Sequence, residues 1–188
     1  MNPRVARTRW LARGVCRLQG FLEAADCSAL IALAEQRGFE QARLWHRGRR
    51  NRETFLATAE VRGLVTDLLR EWQPAVREIA SSEASSLRVE AEPVGVGSVI
   101  EFYKYGNGES ISVHMDTAAE LGNGLFSQRT LVIYLNDDFD GGATAFPDFE
   151  LQCSPFAGDA LLFEHGVSHE ATEVTRGIKY VLRASVLL

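Results

Sequence analysis

The chain has 188 residues, 46% of them hydrophobic, and a formal net charge of −5, which suits one soluble domain with an ordinary core. No apolar run approaches the roughly 18 residues that a membrane span needs, and the negative balance argues against nucleic acid as a partner. Cys16, Cys27 and Cys153 are odd in number and widely spaced, so they fit neither a disulfide framework nor a zinc cluster and point to a reducing, cytoplasmic setting.

Five arginines fall in the first 17 residues (Arg4, Arg7, Arg9, Arg13 and Arg17). No apolar h-region follows them, which argues against a secretory signal, and they read as a solvated face or a small anion-contacting surface. Asp26 reads as a helix N-cap ahead of Ala29, Leu30, Leu33 and Ala34 at helical spacing, with Gly38 as the stop. A second amphipathic stretch takes in Val61, Leu64, Val65, Leu68, Leu69 and Trp72, and Pro74 kinks it or starts a further helix reaching Ile79. Ser81-Ser-Glu-Ala-Ser-Ser86 is a polar connector. Beyond it, short β-rich runs broken by glycine and proline predict strands near 97–105, 111–116, 128–136, 143–146, 159–163, 168–175 and 179–187. The expected fold is mostly β, one domain over 1–188: residues up to about 86 supply two or three bracing helices and outer strands, and about 87–188 form a sandwich.

The chemistry gathers in the second half. His114 and Asp116 are two apart, so on a regular strand both side chains leave one face, and His169 can bring a third ligand from elsewhere. Two imidazoles and a carboxylate suit non-haem Fe(II), because they hold one face of an octahedron and leave the other open to a bidentate oxo-acid and dioxygen. His165 competes with His169 for the third position. A cation beyond the metal is needed for the far carboxylate of such an acid, and one of the only two lysines, Lys179, follows His169 by ten positions. Thr130 and Tyr134, four apart in an apolar strand, share a face and with Lys179 make a cradle for a buried carboxylate. Arg183 has the parity of Lys179 and either assists it or pairs with an acid. Gly141-Gly142 and Asp159 read as turn residues, and Phe146 and Phe163 as core.

These pieces carry a family resemblance. Tyr105-Gly-Asn-Gly108, His114-Met-Asp116, Thr130-Leu-Val-Ile-Tyr134-Leu-Asn136, Gly141-Gly142, Gly158 to Phe163, His169 to Val174 and Gly177 to Arg183 together resemble the prolyl 4-hydroxylase-like 2-oxoglutarate/Fe(II) dioxygenases. A weaker echo runs from Gly20 through Cys27 to Phe39. The resemblance implies a double-stranded β-helix (jelly roll) with the metal at one open end. It implies Fe(II) on His114, Asp116 and His169, 2-oxoglutarate and dioxygen as cosubstrates, and Lys179, Thr130 and Tyr134 on the distal carboxylate of 2-oxoglutarate. Tyr105 matches a tyrosine near the metal-bound end of the cosubstrate, with Tyr103 as the near alternative. Its spacing favours His169 over His165.

The activity so implied is hydroxylation of an unactivated C–H bond in a prolyl, peptidyl, free amino-acid or small natural-product substrate, with succinate and CO2 as co-products. Two segments, Arg47–Phe55 and Ala118–Ser127, resemble substrate loops of relatives, and the arginines of the first suit an anionic substrate. A non-enzymatic sensor of metal and 2-oxoglutarate is the alternative from another class. A zinc hydrolase using the same three ligands leaves Lys179, Thr130 and Tyr134 without a task.

Overall fold

The computed structural model describes residues 7–42, 48–55, 58–80, 95–118 and 126–187, without the side chains of 75–80. The connector 81–86, most of the loop 118–127, and Arg4, Arg43 and Arg47 lie outside the described residues. The chain opens with a hairpin, β1 (Thr8–Ala12) and β2 (Val15–Leu18), and continues through α1 (Ala24–Arg37) to the short strands β3 (Glu40–Gln41), β4 (Arg49–Arg50) and β5 (Arg52–Phe55). After α2 (Ala59–Ala80) come β6 (Gly95–Tyr105), β7 (Ser110–His114), β8 (Ser127–Tyr134), β9 (Asp140–Gly141) and β10 (Thr144–Phe146). The remaining strands are β11 (Leu151–Cys153), β12 (Ala160–Glu164), β13 (His169–Ala171), β14 (Val174–Arg176) and β15 (Lys179–Leu187).

An eight-stranded antiparallel sheet in the order β1-β2-β12-β8-β15-β6-β5-β3 faces a five-stranded sheet ordered β11-β10-β13-β7-β4. The expected jelly roll is what forms. Alternation along β8 and β15 sends side chains to two cores. Leu131, Ile133, Leu182, Ala184 and Val186 meet the helices, together with Ile100 and Phe102 of β6. Tyr134 and Val181 instead meet Ile111, Phe146 and Phe163 between the sheets. Phe146 and Phe163 stand edge to face with centroids 5.3 Å apart, as the sequence led one to expect of core aromatics.

Helix α1 begins three residues earlier than the sequence suggests. Glu23 holds the N-cap position and Asp26 lies in the first turn, where its charge still favours the helix dipole. Gly38 ends the helix as expected, at φ 87°, and its N–H donates to the carbonyls of Ala34 and Glu35. Pro74 neither breaks α2 nor starts a separate helix, since Ala59–Ala80 is continuous through it. Val61, Val65, Leu69 and Trp72 are its buried stripe, and Trp72 packs on Phe21 with ring centroids 6.0 Å apart. That stripe lies against the outer face of the large sheet and braces the strands that carry the site. Among the described residues no helix is long and apolar enough to cross a membrane.

The N-terminal hairpin has a larger part than its arginines suggest. β2 pairs with β12 along Ala160–Phe163, and Arg17 donates through Nε to Asp159 Oδ2 at 2.8 Å while the Gly20 N–H donates to Asp159 Oδ1 at 2.8 Å. The turn residue Asp159 thus ties the hairpin to the jelly roll.

Trp72 is 2% exposed and packs with Phe21 in the core shared by the helices and the large sheet, so Trp72→Ala is expected to cost about 3–5 kcal/mol in urea unfolding. A loss well under 1 kcal/mol would mean that α2 contributes little to the stability of the sheet.

Candidate metal and cosubstrate site

His114 is the last residue of β7, and Asp116 lies beyond the strand end. The predicted strand 111–116 is therefore shorter at its C-terminal end, and pleat alternation does not place Asp116. A bulge shapes the strand instead: His169 pairs with His114 but Ala171 pairs with Ile111, so β7 carries one extra residue against β13. The bulge brings Ile111 and His114, three apart, to the same pocket. The two histidines are direct partners in the ladder, their ring centroids 4.2 Å apart and their planes tilted by 50°.

One ligand atom each from His114, Asp116 and His169 lies within 4.8 Å of the other two. His114 Nε2 is 4.0 Å from Asp116 Oδ1, and His169 Nε2 is 3.9 Å from Oδ2. Each Nδ1 meets a backbone carbonyl, Ser112 O at 2.9 Å and Val167 O at 3.0 Å. With the proton on Nδ1, those carbonyls orient the rings and leave both Nε2 lone pairs for an ion. Both partners are main-chain atoms. His165 is buried but stands outside this triad. Burial pushes His169 down to about 4 against the pull of the Val167 carbonyl, so the ring is neutral, as a ligand must be. Burial works to raise Asp116, but Arg183, Thr130 and His169 together hold it far below the usual carboxylate range.

The pocket beside the triad encloses about 460 Å³, open solvent included. Lys179, Thr130, Thr144, Tyr105 and Arg183 all line it. Lys179 stands opposite Tyr105 in the ladder of β15 with β6 and is 1% exposed. Its ammonium donates to the Gly142 carbonyl at 2.7 Å and lies 4.9 Å from the Tyr105 ring centroid and 5.6 Å from that of Tyr134. Among the described residues no carboxylate pairs with it. Burial pushes Lys179 down to about 7. A buried amine resting on one carbonyl and two aromatic faces would regain its charge beside an anion.

The other predicted site residues are placed more variously. Thr130 donates to Asp116 Oδ2. The Tyr134 hydroxyl donates to Thr144 Oγ1 at 2.7 Å, and it is Thr144 that reaches the pocket. Arg183 turns to acids: Nη2 lies 3.0 Å from Asp116 Oδ2 and Nη1 2.9 Å from Glu101 Oε2. Tyr103 also lines the pocket beside Tyr105. Arg49 of β4 donates to the Tyr103 hydroxyl at 3.1 Å, with Glu53 3.8 Å away.

Sequence reasoning missed Thr144 and Gly142. Gly142, read as a plain turn residue, has φ +61°, and a Cβ there would come 2.9 Å from Val174 Cγ2, 3.0 Å from Phe139 and 3.1 Å from Lys179 Cδ. A glycine pair before a strand is too common a signal to reveal that role.

Residues 100–185 match the sequence model of the 2OG-Fe(II) oxygenase superfamily. No curated protein matches the chain by sequence. Among solved structures, the viral collagen prolyl hydroxylase of Paramecium Bursaria Chlorella virus-1, in its 2OG complex, superposes with a TM-score of 0.66 at 19% identity, covering 93% of this chain and 96% of that one. A Pseudomonas putida prolyl-4-hydroxylase gives 0.63 at 19% identity, covering 93% and 92%. A Trichoplax adhaerens prolyl hydroxylase, in complex with a hypoxia inducible factor peptide fragment, gives 0.63 at 17% identity, covering 93% and 83%. At these identities the likeness speaks for the fold, while the matched segment contains the first two residues of the triad, the third, and Lys179. Over residues 100–185, the segment that carries the triad and Lys179, the chain matches the 2OG-Fe(II) oxygenase superfamily, and its enzyme class, a 2-oxoglutarate-dependent dioxygenase with Fe(II) as cofactor and 2-oxoglutarate and dioxygen as cosubstrates, is read from that match and the triad together.

Proposed function

We propose that His114, Asp116 and His169 hold the Fe(II), that Lys179 takes the distal carboxylate of 2-oxoglutarate, and that the enzyme hydroxylates an unactivated C–H bond. Lys179 carries this reading: a buried lysine amine with no carboxylate beside it among the described residues, lining the same pocket as the triad, fits a dicarboxylate held at its other end by metal. The chemistry that Fe(II) supplies is oxidative decarboxylation, in which one atom of dioxygen ends as the product hydroxyl and the other in succinate, with CO2 released.

The protein's part is placement and exclusion of water. Lys179 sets the depth of the cosubstrate, and Gly142 fixes Lys179. Tyr105 and Thr130 line the cosubstrate's side of the pocket, and Tyr134 acts through Thr144. Arg183 works on Asp116 and not on the distal carboxylate. The substrate is a peptidyl, free amino-acid or small natural-product molecule, in keeping with the peptide bound by the Trichoplax relative. Arg49, in the segment expected to meet substrate, lines the pocket and offers an anionic substrate a partner.

Adding Fe(II) and then 2-oxoglutarate to metal-free protein under anaerobic conditions is expected to give a visible charge-transfer band that needs both. His169→Ala should lose the band and turnover while His165→Ala keeps the band. The reverse pattern would move the third ligand to His165, and a band in neither the parent nor any variant would sink the metal assignment.

Lys179→Met and Gly142→Ala are both expected to raise KM for 2-oxoglutarate, roughly tenfold to a hundredfold for the lysine, with a smaller change in kcat. Unchanged KM in Lys179→Met would show that another group holds the cosubstrate.

The depressed Lys179 also predicts a proton linkage. Between about 7 and its ordinary 10.5 the unfolded chain binds the proton that the folded, ligand-free chain has released. Stability from this group therefore rises with pH across that window. Binding of the dianion recharges the lysine, so calorimetry at pH 8 in buffers of differing ionisation heat should show uptake of about one proton. Binding without uptake would mean that Lys179 does not meet the anion.

A further inference from the structure

We propose that Arg183 is a positioning residue for the carboxylate ligand: with Thr130 it occupies Asp116 Oδ2 and leaves Oδ1 as the donor to the metal. The inference rests on Asp116 being a ligand, as proposed above. Asp116 stands past the end of β7, so no strand ladder fixes its side chain and something else must. Arg183 Nη2 reaches Oδ2 at 3.0 Å, and the Thr130 hydroxyl donates to the same oxygen. Oδ1 lies 4.0 Å from His114 Nε2 and Oδ2 3.9 Å from His169 Nε2, so both oxygens are near the histidines and it is the two hydrogen bonds on Oδ2 that single out Oδ1 as the donor.

The clamp is itself anchored. Arg183 stands opposite Glu101 in the pairing of β15 with β6, and its Nη1 donates to Glu101 Oε2 at 2.9 Å and to Ser185 Oγ at 3.0 Å. Thr130 comes from the other side, opposite Ser185 in the pairing of β15 with β8. Neighbouring strands thus grip one oxygen of one carboxylate, and a guanidinium held on two sides cannot follow the carboxylate if it turns.

Coordination arithmetic gives this a purpose. An octahedral ion has six positions, and two histidines with one carboxylate oxygen use three of them. A chelating oxo-acid takes two more, and dioxygen needs the last. If both oxygens of Asp116 bound the metal, the oxo-acid and dioxygen would compete for two positions. Capturing Oδ2 keeps the third position open. Outer partners of this kind commonly tune a site by an order of magnitude or more.

The test uses Co(II) as a spectroscopic probe of the metal-free protein, read by visible absorption, with Co(II) affinity and 2-oxoglutarate affinity measured alongside. In Arg183→Met the Co(II) spectrum is expected to change before any 2-oxoglutarate is added. Affinity of the Co(II)-loaded protein for 2-oxoglutarate should fall on the order of tenfold, while Co(II) affinity does not fall. Thr130→Val should shift the spectrum in the same direction by less, and Arg183→Lys should lie between Arg183→Met and the parent. If Arg183→Met fails to fold, Thr130→Val and Arg183→Lys decide the question by the same readings.

An unchanged Co(II) spectrum in these variants overturns the proposal. If 2-oxoglutarate affinity falls with that spectrum unchanged, Arg183 touches the cosubstrate directly and the proposal is equally wrong. Parallel loss of Co(II) and 2-oxoglutarate affinity would reduce Arg183 to a structural prop. Failure of the underlying reading looks different: Asp116→Ala would then bind Co(II) with the parent's affinity and spectrum.

Discussion

Strand β15 has to face two ways at once, and most of the molecule follows from how it does so. It pairs with β6 on one edge and β8 on the other, which leaves its two faces as its only free surfaces. Leu182, Ala184 and Val186 point into the helix-backed core, while Lys179, Val181 and Arg183 line the pocket. A slip of one residue would exchange the two sets, putting a lysine and an arginine among leucines and a leucine beside the metal ligands. The long double pairing and the packing of α1 and α2 against the sheet act against that slip.

The pocket is built from charges placed where charge is costly. Arg183 is balanced within the fold, by Asp116 and Glu101, so its burial needs nothing from outside. Among the described residues Lys179 has a carbonyl and ring faces but no acid, so an anion from outside would balance its burial. The two cations differ in purpose for that reason. On the proposed reading, one holds a ligand still and the other keeps part of its binding energy in reserve for the cosubstrate. Arginine suits the first task because its planar fork grips two acids at once, and lysine the second because its charge yields to burial.

Much of this was legible in the chain. Short β-rich runs broken by glycine and proline marked most of the strands after residue 95, and the type and spacing of His114, Asp116, His169 and Lys179 named a triad with a cation beyond it. The N-terminal hairpin was hidden because Arg9, Arg13 and Arg17 made a strand-forming segment look like a solvated one. Spacing could not reveal that Asp116 leaves the strand, since a bulge in β7 is a mismatch with β13 and has no signature in β7 alone. Nor could it pair Arg183 with Asp116 and Glu101, because parity gives a residue's face but not its partner. Backbone atoms escaped altogether: the carbonyls of Gly142, Ser112 and Val167 do site work that any residue type could do, given the right turn.

The order of the strands along the chain has a consequence for how the enzyme is made. β8 and β6 are bridged by β15, the last of the described strands to be synthesised, and β12 must also receive β2 from the opening hairpin. Until residues 179–187 have left the ribosome, the large sheet consists of two separate fragments with open edges, and the pocket lacks Lys179 and Arg183. Such edges invite pairing with other chains. The helices α1 and α2, formed from local contacts early in synthesis, are positioned to cover the apolar face of those fragments while they wait for the strand that joins them.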